Sequence, residues 1–410
     1  MKAILIIGDG MADRPLKELN GKTPLEAAEK PSLNYVAGKG VCGIFDPIAP
    51  GISPGTDTAT LALLGYEALK VYTGRGALEA LGAEVEILPG DVAFRCNFAT
   101  VDENLTVLDR RAGRIETAEA SKLAEYLKKI RYPEVEVLFK NTVQHRAILR
   151  LRGSSLSMKV SDSDPEKVGK RVLKIKAVDN TTEAKKTAVV VNELMQQFHE
   201  VLREHPLNKE RKRKGLPPAN IVLCRGAGEL LRITPLHQQY EIRAAAIAAV
   251  PIVKGVCKAA GMETLDVQGA TGTYNSDFMA KGKAAFQALK SYDFVFLHVK
   301  ATDLASHDGK VSRKVKLVEK IDDVVGFLLE NVNLDETILA VTADHTTSSA
   351  TRKHEGDPVP VALAGPGVRT DDVKEFGERA CAKGGLGRIR GKDLMPTIMS
   401  LLGKGEHFGA

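Results

Sequence analysis

The stretch Ala3-Ile4-Leu5-Ile6-Ile7-Gly8-Asp9 opens the chain with an apolar run that stops on a glycine and a carboxylate. A run that short, with no polar alternation, predicts a parallel strand buried on both faces. The same texture returns twice. Asp293–Val299 runs into Lys300-Ala301-Thr302-Asp303, and Thr337–Thr342 runs into Ala343-Asp344-His345. Open parallel sheets bind ligands at the carboxyl ends of their strands. Three buried strands that each end on an acid therefore predict one shared edge carrying Asp9, Asp303 and Asp344.

Working outward, helical and strand-like patterns alternate at both ends of the chain. Thr56–Leu64 follows Pro54-Gly55 and reads as a helix start. Ala244–Ala260 reads as a buried helix kinked at Pro251. Val311–Glu330 reads as an amphipathic helix, Val359–Ala364 as a strand and Gly391–Leu402 as a closing helix. Strands alternating with helices imply a mainly parallel sheet with crossover helices. Between these ends the texture changes. Thr117–Lys129 is helical, while Val135–Phe139, Ala147–Leu151 and Ala188–Val191 look like strands. Glu204–Pro218, basic and proline-bearing, reads as an exposed loop. At 410 residues the chain is too long for one ordinary core. The expectation is a discontinuous core, residues 1–76 and 234–410, with an α+β domain inserted at 77–233.

Composition narrows the class. Hydrophobic content of 43% and charged content of 27% describe a globular chain. The net charge of +6 is small against 58 basic and 52 acidic residues. It suits a small anionic substrate and does not call for nucleic acid; the basic runs Lys209–Lys214 and Arg313–Lys316 read as solvated faces. The five cysteines are scattered, and none forms a C-x-x-C pair. That spacing argues against a disulfide framework or zinc ribbon and fits a reducing cytoplasm. The opening apolar run is too short for a signal peptide, and no run reaches the roughly 18–20 apolar residues of a membrane span.

Histidines sharpen the picture. Four of the nine, His298, His307, His345 and His354, fall within one short interval. Asp303 and His307 are four apart, on one face if a helical turn follows the strand. Carboxylates mixed with imidazoles suit divalent manganese, magnesium, cobalt or zinc. Asp9, Asp303, His307, Asp344, His345 and His354 are more ligands than one ion usually takes, so two ions are expected. Each residue alone has an ordinary reading: a turn for Asp9, a helix cap for Asp303, a satisfied polar group for His345 or His354. Two close ions can hold the attacking and leaving oxygens of an in-line displacement. The Thr56 hydroxyl, at a predicted helix N-terminus that favours anions, is a candidate nucleophile. Read locally, it is more simply an ordinary N-cap threonine.

These segments resemble the archaeal-type cofactor-independent phosphoglycerate mutases of the alkaline phosphatase superfamily. The resemblance is carried by Ile6-Ile7-Gly8-Asp9-Gly10-Met11-Ala12-Asp13-Arg14-Pro15 and by Pro54-Gly55-Thr56-Asp57-Thr58-Ala59-Thr60-Leu61-Ala62-Leu63-Leu64-Gly65-Tyr66. It continues in Leu223-Cys224-Arg225-Gly226-Ala227-Gly228, in His298–Gly309, in Thr342-Ala343-Asp344-His345-Thr346-Thr347 and in Gly356-Asp357-Pro358-Val359-Pro360-Val361. The resemblance implies an alkaline-phosphatase-like core plus an inserted lid that closes over substrate. It implies one metal on Asp303, His307 and His354 and another on Asp9, Asp344, His345 and Thr56. It implies that a phosphoglycerate passes its phosphoryl group to Thr56 and takes it back on its other hydroxyl, without bisphosphoglycerate or nucleotide. The partner would be a small phosphorylated three-carbon acid, with no nucleic acid or membrane. Its anionic groups would meet Arg114, His145, Arg146, Arg225 and Lys300.

The chain departs from the family pattern twice. The family usually has Ser where this chain has Thr56, with Ser53 as the alternative hydroxyl. The Arg225-Gly226-Ala227-Gly228 motif is usually followed closely by Pro, whereas here Glu229-Leu230-Leu231 intervenes. Another phosphomonoester mutase or a phosphatase would share such a site, and a non-catalytic metabolite binder could keep its ligands.

Overall fold

The computed structural model describes every residue except Phe408 and Ala410. The chain forms two compact units, Met1–Tyr72 with Arg232–Ala410 and Thr73–Leu231. Among the described residues no helix is long and apolar enough to cross a membrane.

The first unit is an α/β layer structure around a mainly parallel sheet. Its sheet strands and the helices beside the site are β1 (Lys2–Gly8), β2 (Val41–Asp46), α1 (Thr56–Leu63), β3 (Ala244–Ile247), β4 (Glu263–Thr264), β5 (Phe294–Val299), α2 (Ala301–His307), α3 (Val311–Asn331), β6 (Thr337–Ala343), β7 (Val359–Ala364) and β8 (Gly387–Arg390). The strand order is β8-β2-β7-β6-β1-β5-β3-β4. The apolar residues Ala3–Ile7 of β1 are fully buried, as a central strand covered on both faces must be. Register sets the site. Gly8 of β1 pairs with Val299 on one side and Ala343 on the other. The next residue on each strand is Asp9, Lys300 and Asp344, so three strand ends deliver their polar residues at one level.

Two features of this unit differ from the sequence expectation. Ala244–Ala260 is not one kinked helix: β3 is followed by a helix over Pro251–Ala259. Pro251 stands at the first helical position, where a missing N–H costs nothing. Periodicity cannot separate a short buried apolar run from a helix segment. In addition, β7 lies antiparallel to β6. The connection is a small hairpin, Thr346–Ser348 against Lys353–Glu355, with no crossover helix to reverse the chain.

The second unit is built on an antiparallel sheet. Val92–Val101 lies between Arg146–Arg152 and Ile221–Gly228. Glu136–Asn141 pairs with Arg146–Arg152, and Val107–Asp109 pairs with the end of Val92–Val101. Helices Thr117–Leu127 and Thr182–Glu204 supply Leu123, Leu127, Leu194 and Phe198 to a core shared with Phe98 and Phe139. The Phe139 ring meets Phe98 edge-on at 5.8 Å and Phe198 at 5.3 Å between centroids.

Ala188–Val191 is helical, not a strand. Ala184, Ala188, Val191, Leu194, Met195, Phe198 and Leu202 make a buried stripe at helical spacing, which overrides the β-branched run Val189–Val191. The expected loop over Glu204–Pro218 contains a helix, Pro206–Arg213. Its basic run is not wholly solvated either: Arg211 is buried, bonded to the Pro217 and Ala112 carbonyls and to Glu119.

Candidate active site

In the first unit the strand ends and the two elements beside them gather every expected ligand into one cluster. Asp9 and Asp344 are fully buried and Asp303 almost so. His345 Nε2 lies 3.3 Å from Asp9 Oδ1, 3.4 Å from Asp344 Oδ2 and 3.3 Å from Thr56 Oγ1. Asp303 Oδ1 lies 3.3 Å from His307 Nε2 and 3.2 Å from His354 Nε2, and those two nitrogens are 3.2 Å apart. Asp303 and His307 share α2, so the four-residue spacing does place both on one helical face. Lys300 reaches Asp9 Oδ2 at 2.9 Å and Asp303 Oδ2 at 2.6 Å.

Hydrogen bonds on the far side of each ring determine what faces the cluster. His307 Nδ1 is 2.8 Å from the Arg352 carbonyl, and His354 Nδ1 is 2.8 Å from the Pro54 carbonyl. A carbonyl only accepts, so both Nδ1 atoms carry the proton. Thr347 donates its one hydroxyl proton to Asp303 Oδ1 at 2.8 Å, and His345 Nδ1, 3.0 Å away, must therefore donate to Thr347 Oγ1. In neutral rings all three Nε2 lone pairs then point at carboxylate oxygens or at one another. Both Asp9 oxygens and Asp344 Oδ2 are buried without a well-aligned hydrogen bond. Such a convergence of acceptors costs several kcal/mol unless cations fill it. The donor set therefore fits divalent metal.

Protonation in the apo geometry follows the same logic. Burial would raise Asp9, but Lys300, helped by bonds from His298 and His345, holds it below the usual carboxylate range. Burial, reinforced by the charge of Asp9, pushes Asp344 well above that range.

Thr56 is the first residue of α1, capped by Gly55. Its buried hydroxyl faces the cluster. Ser53 is exposed and donates to the His354 carbonyl at 2.9 Å. Gly10 is demanded by close approach: its φ is +57°, and a Cβ would stand 2.3 Å from Thr347 Oγ1. Its N–H meets Asp344 Oδ1 at 2.9 Å.

Several neighbours received no ligand or anchoring role from the sequence. His298 Nε2 sits 3.0 Å from Asp9 Oδ2, and Asp9, His298 and Asp344 offer a three-ligand set distinct from Asp303, His345 and His354. Lys281 is buried, with Nζ 2.9 Å from the His298 carbonyl, and burial brings it down to about 8. Lys314 is fully buried and bonds Asp13 Oδ2 at 2.9 Å, the Thr347 carbonyl at 2.9 Å and the Ala12 carbonyl at 3.1 Å. Its sequence signal was spacing: Val311, Leu317 and Val318 flank it on the apolar face of α3.

The second unit holds an arginine cluster. Arg95 and Arg225 are cross-strand partners, and Asn97 pairs with Arg146. Arg75 meets Glu79 at 3.0 Å, while Arg95 stands 3.8 Å from the same carboxylate. Arg225 lies 3.6 Å from Asp164. Burial, only partly offset by Glu79, brings Arg95 down to about 9, and Arg75, Arg225 and Arg146 add to the fall. His145 falls to about 4 through burial, followed by the charges of Arg146, Arg111, Arg95 and Arg114. Arg114 itself is exposed on a turn with φ +55°. Arg95 Nε and His145 Nδ1 are buried without a hydrogen-bond partner. Excess buried positive charge with open donors suits an anion. Arg75 and Arg95 were missed because no local pattern marks them.

Fold and site together define an α/β protein with a buried carboxylate–imidazole centre fit for divalent cations around a helix-terminal hydroxyl. Comparison with known proteins makes this specific. The 2,3-bisphosphoglycerate-independent phosphoglycerate mutase family profile matches residues 37–208. The Methanocaldococcus jannaschii protein named 2,3-bisphosphoglycerate-independent phosphoglycerate mutase 1 is 46% identical over 409 residues, covering 100% of this chain and 99% of the relative. A Pyrococcus horikoshii protein of solved structure superposes with a TM-score of 0.89 at 40% identity, covering 100% of this chain and 99% of the other. The cofactor-independent phosphoglycerate mutase from Thermoplasma acidophilum gives 0.73 at 36% identity, covering 98% and 100%. The chain belongs to the 2,3-bisphosphoglycerate-independent phosphoglycerate mutase family.

Proposed function

We propose that this chain is an isomerase that interconverts 2-phosphoglycerate and 3-phosphoglycerate without 2,3-bisphosphoglycerate, and that the phosphoryl group passes through Thr56. The observation that carries the route is the buried Thr56 hydroxyl, 3.3 Å from His345 Nε2, among acceptor atoms that need cations. Asp303, His307 and His354 are assigned to one divalent ion, and Asp9, Asp344 and His345 with Thr56 to the other. Manganese, magnesium, cobalt and zinc all suit these donors. When bound, such ions supply positive charge that favours the deprotonated hydroxyl and draws in phosphate oxygens.

The chain's own groups do the rest. The Arg352 and Pro54 carbonyls and the Thr347 hydroxyl keep each ligand ring turned inward. Thr56 Oγ1 loses its proton and bonds phosphorus, while the bond from phosphorus to the substrate oxygen breaks and that oxygen takes up a proton, giving glycerate. Reversal on the other glycerate hydroxyl completes the isomerisation. Lys300 offsets the charge of Asp9 and Asp303. We assign Arg95, Arg146 and Arg225, with His145 and Arg114, to the substrate carboxylate and phosphate. The inserted unit acts as the lid that keeps water from the phosphoenzyme.

Metal-loaded protein given 3-phosphoglycerate and no bisphosphoglycerate should accumulate 2-phosphoglycerate. Inorganic phosphate formed without 2-phosphoglycerate would make the chain a phosphatase.

A further inference from the structure

We propose that Cys96 and Cys224 are a disulfide pair, joining the two strands of the second unit that carry Arg95 and Arg225. Their sulfurs are 3.5 Å apart, as thiols, and both residues are fully buried. The two residues are direct cross-strand partners. Cys224 donates its N–H to Ser163 Oγ and its carbonyl accepts the Ser163 N–H, so neither backbone group points at the Cys96 strand. The pair is thus of the non-hydrogen-bonded kind, in which Cα atoms stand about 4.5 Å apart. That separation lies inside the roughly 4.4–6.8 Å that a disulfide spans. The sequence hides the pairing, because the two cysteines are 128 positions apart.

The neighbouring pair gives the bond a purpose. Arg95 and Arg225 are partners one step along the same register, and alternation sends them to the opposite face. A covalent tie at Cys96–Cys224 holds the spacing of two like-charged side chains that repel until an anion arrives. Cys42 and Cys381 also touch, but not across paired strands, so the inference rests on Cys96 and Cys224.

The step balances with a small-molecule disulfide as oxidant. One thiolate attacks it, releasing a small thiol and leaving a mixed disulfide. The second cysteine displaces the other small thiol, so two S–H bonds are exchanged for one S–S bond. Burial pushes the Cys96 thiol well up, which keeps it inert while the strands are closed. Exchange therefore belongs to folding or to transient opening of the strand pair.

The test uses the full chain, purified without reductant and incubated with oxidised glutathione in urea below the unfolding midpoint. Free thiols are then alkylated in denaturant and the peptides mapped by mass. The expected product joins the Cys96 and Cys224 peptides, with two hydrogens lost, while Cys257 is alkylated. A phosphine should abolish the joined species and lower the thermal midpoint by several degrees. Cys96→Ser should remove both the joined species and the phosphine-sensitive part of the midpoint. Alkylation or glutathione on both Cys96 and Cys224, or a midpoint indifferent to phosphine, would overturn the proposal.

Discussion

The hydroxyl of Thr347 has one proton to give, and it goes to Asp303, so His345 must donate in turn. One side chain thereby orients a ligand in each proposed metal site. Thr347→Val keeps the shape and removes both bonds. Outer hydrogen bonds of this kind are worth about 10–100-fold in metal affinity, so a metal titration of the variant should show a loss of that size with the fold intact by circular dichroism. Thr56→Ala should abolish transfer, while Ser53→Ala should retain most of it, since Ser53 is exposed and already bonded to a carbonyl; steady-state rates distinguish them. His145 carries a pH signature. Its folded-state value of about 4 lies below the ordinary 6.5. Stability from the neutral ring is present above pH 6.5 and is lost as pH falls towards 4, by up to about 3 kcal/mol. His145→Gln should flatten the urea midpoint across that window, and phosphate should shrink the difference. Asp9, Asp303, Asp344 and the histidines were legible because strand ends and spacing mark them. Thr347 was not, because an ordinary polar residue becomes an anchor only through a neighbour distant in sequence.

At the scale of elements, α3 shows how a local reading fails. Arg313–Lys316 looks like a solvated run, yet Lys314 turns inward and bridges Asp13 to the Thr347 carbonyl. Replacing it leaves Asp13 as an uncompensated buried carboxylate. Lys314→Met should cost about 3–5 kcal/mol, read by urea unfolding, whereas Arg313→Met should cost little. The strands β1, β5 and β6 were readable because a central parallel strand is apolar throughout. The run that holds β3 was misread because the same apolar texture suits a buried helix, and only Pro251 hinted at the break. Ala188–Val191 was misread in the opposite sense: consecutive valines looked like a strand until the wider helical stripe outweighed them.

For the whole molecule, the strand ends gather acceptor atoms in the first unit while the second concentrates arginines. Sequence order gave the first pattern directly, since its residues follow strands. The second pattern depends on strand pairing across long separations, as between Arg95 and Arg225, and a single sequence carries no local trace of it. The proposed transfer is a covalent event. Metal-loaded protein should be mixed with phosphate-labelled 3-phosphoglycerate, quenched in acid within a turnover, and its peptides mapped. The label should sit on the peptide bearing Thr56, at that hydroxyl, and should chase into 2-phosphoglycerate. Label that bypasses Thr56, or that leaves it only as inorganic phosphate, would contradict the account.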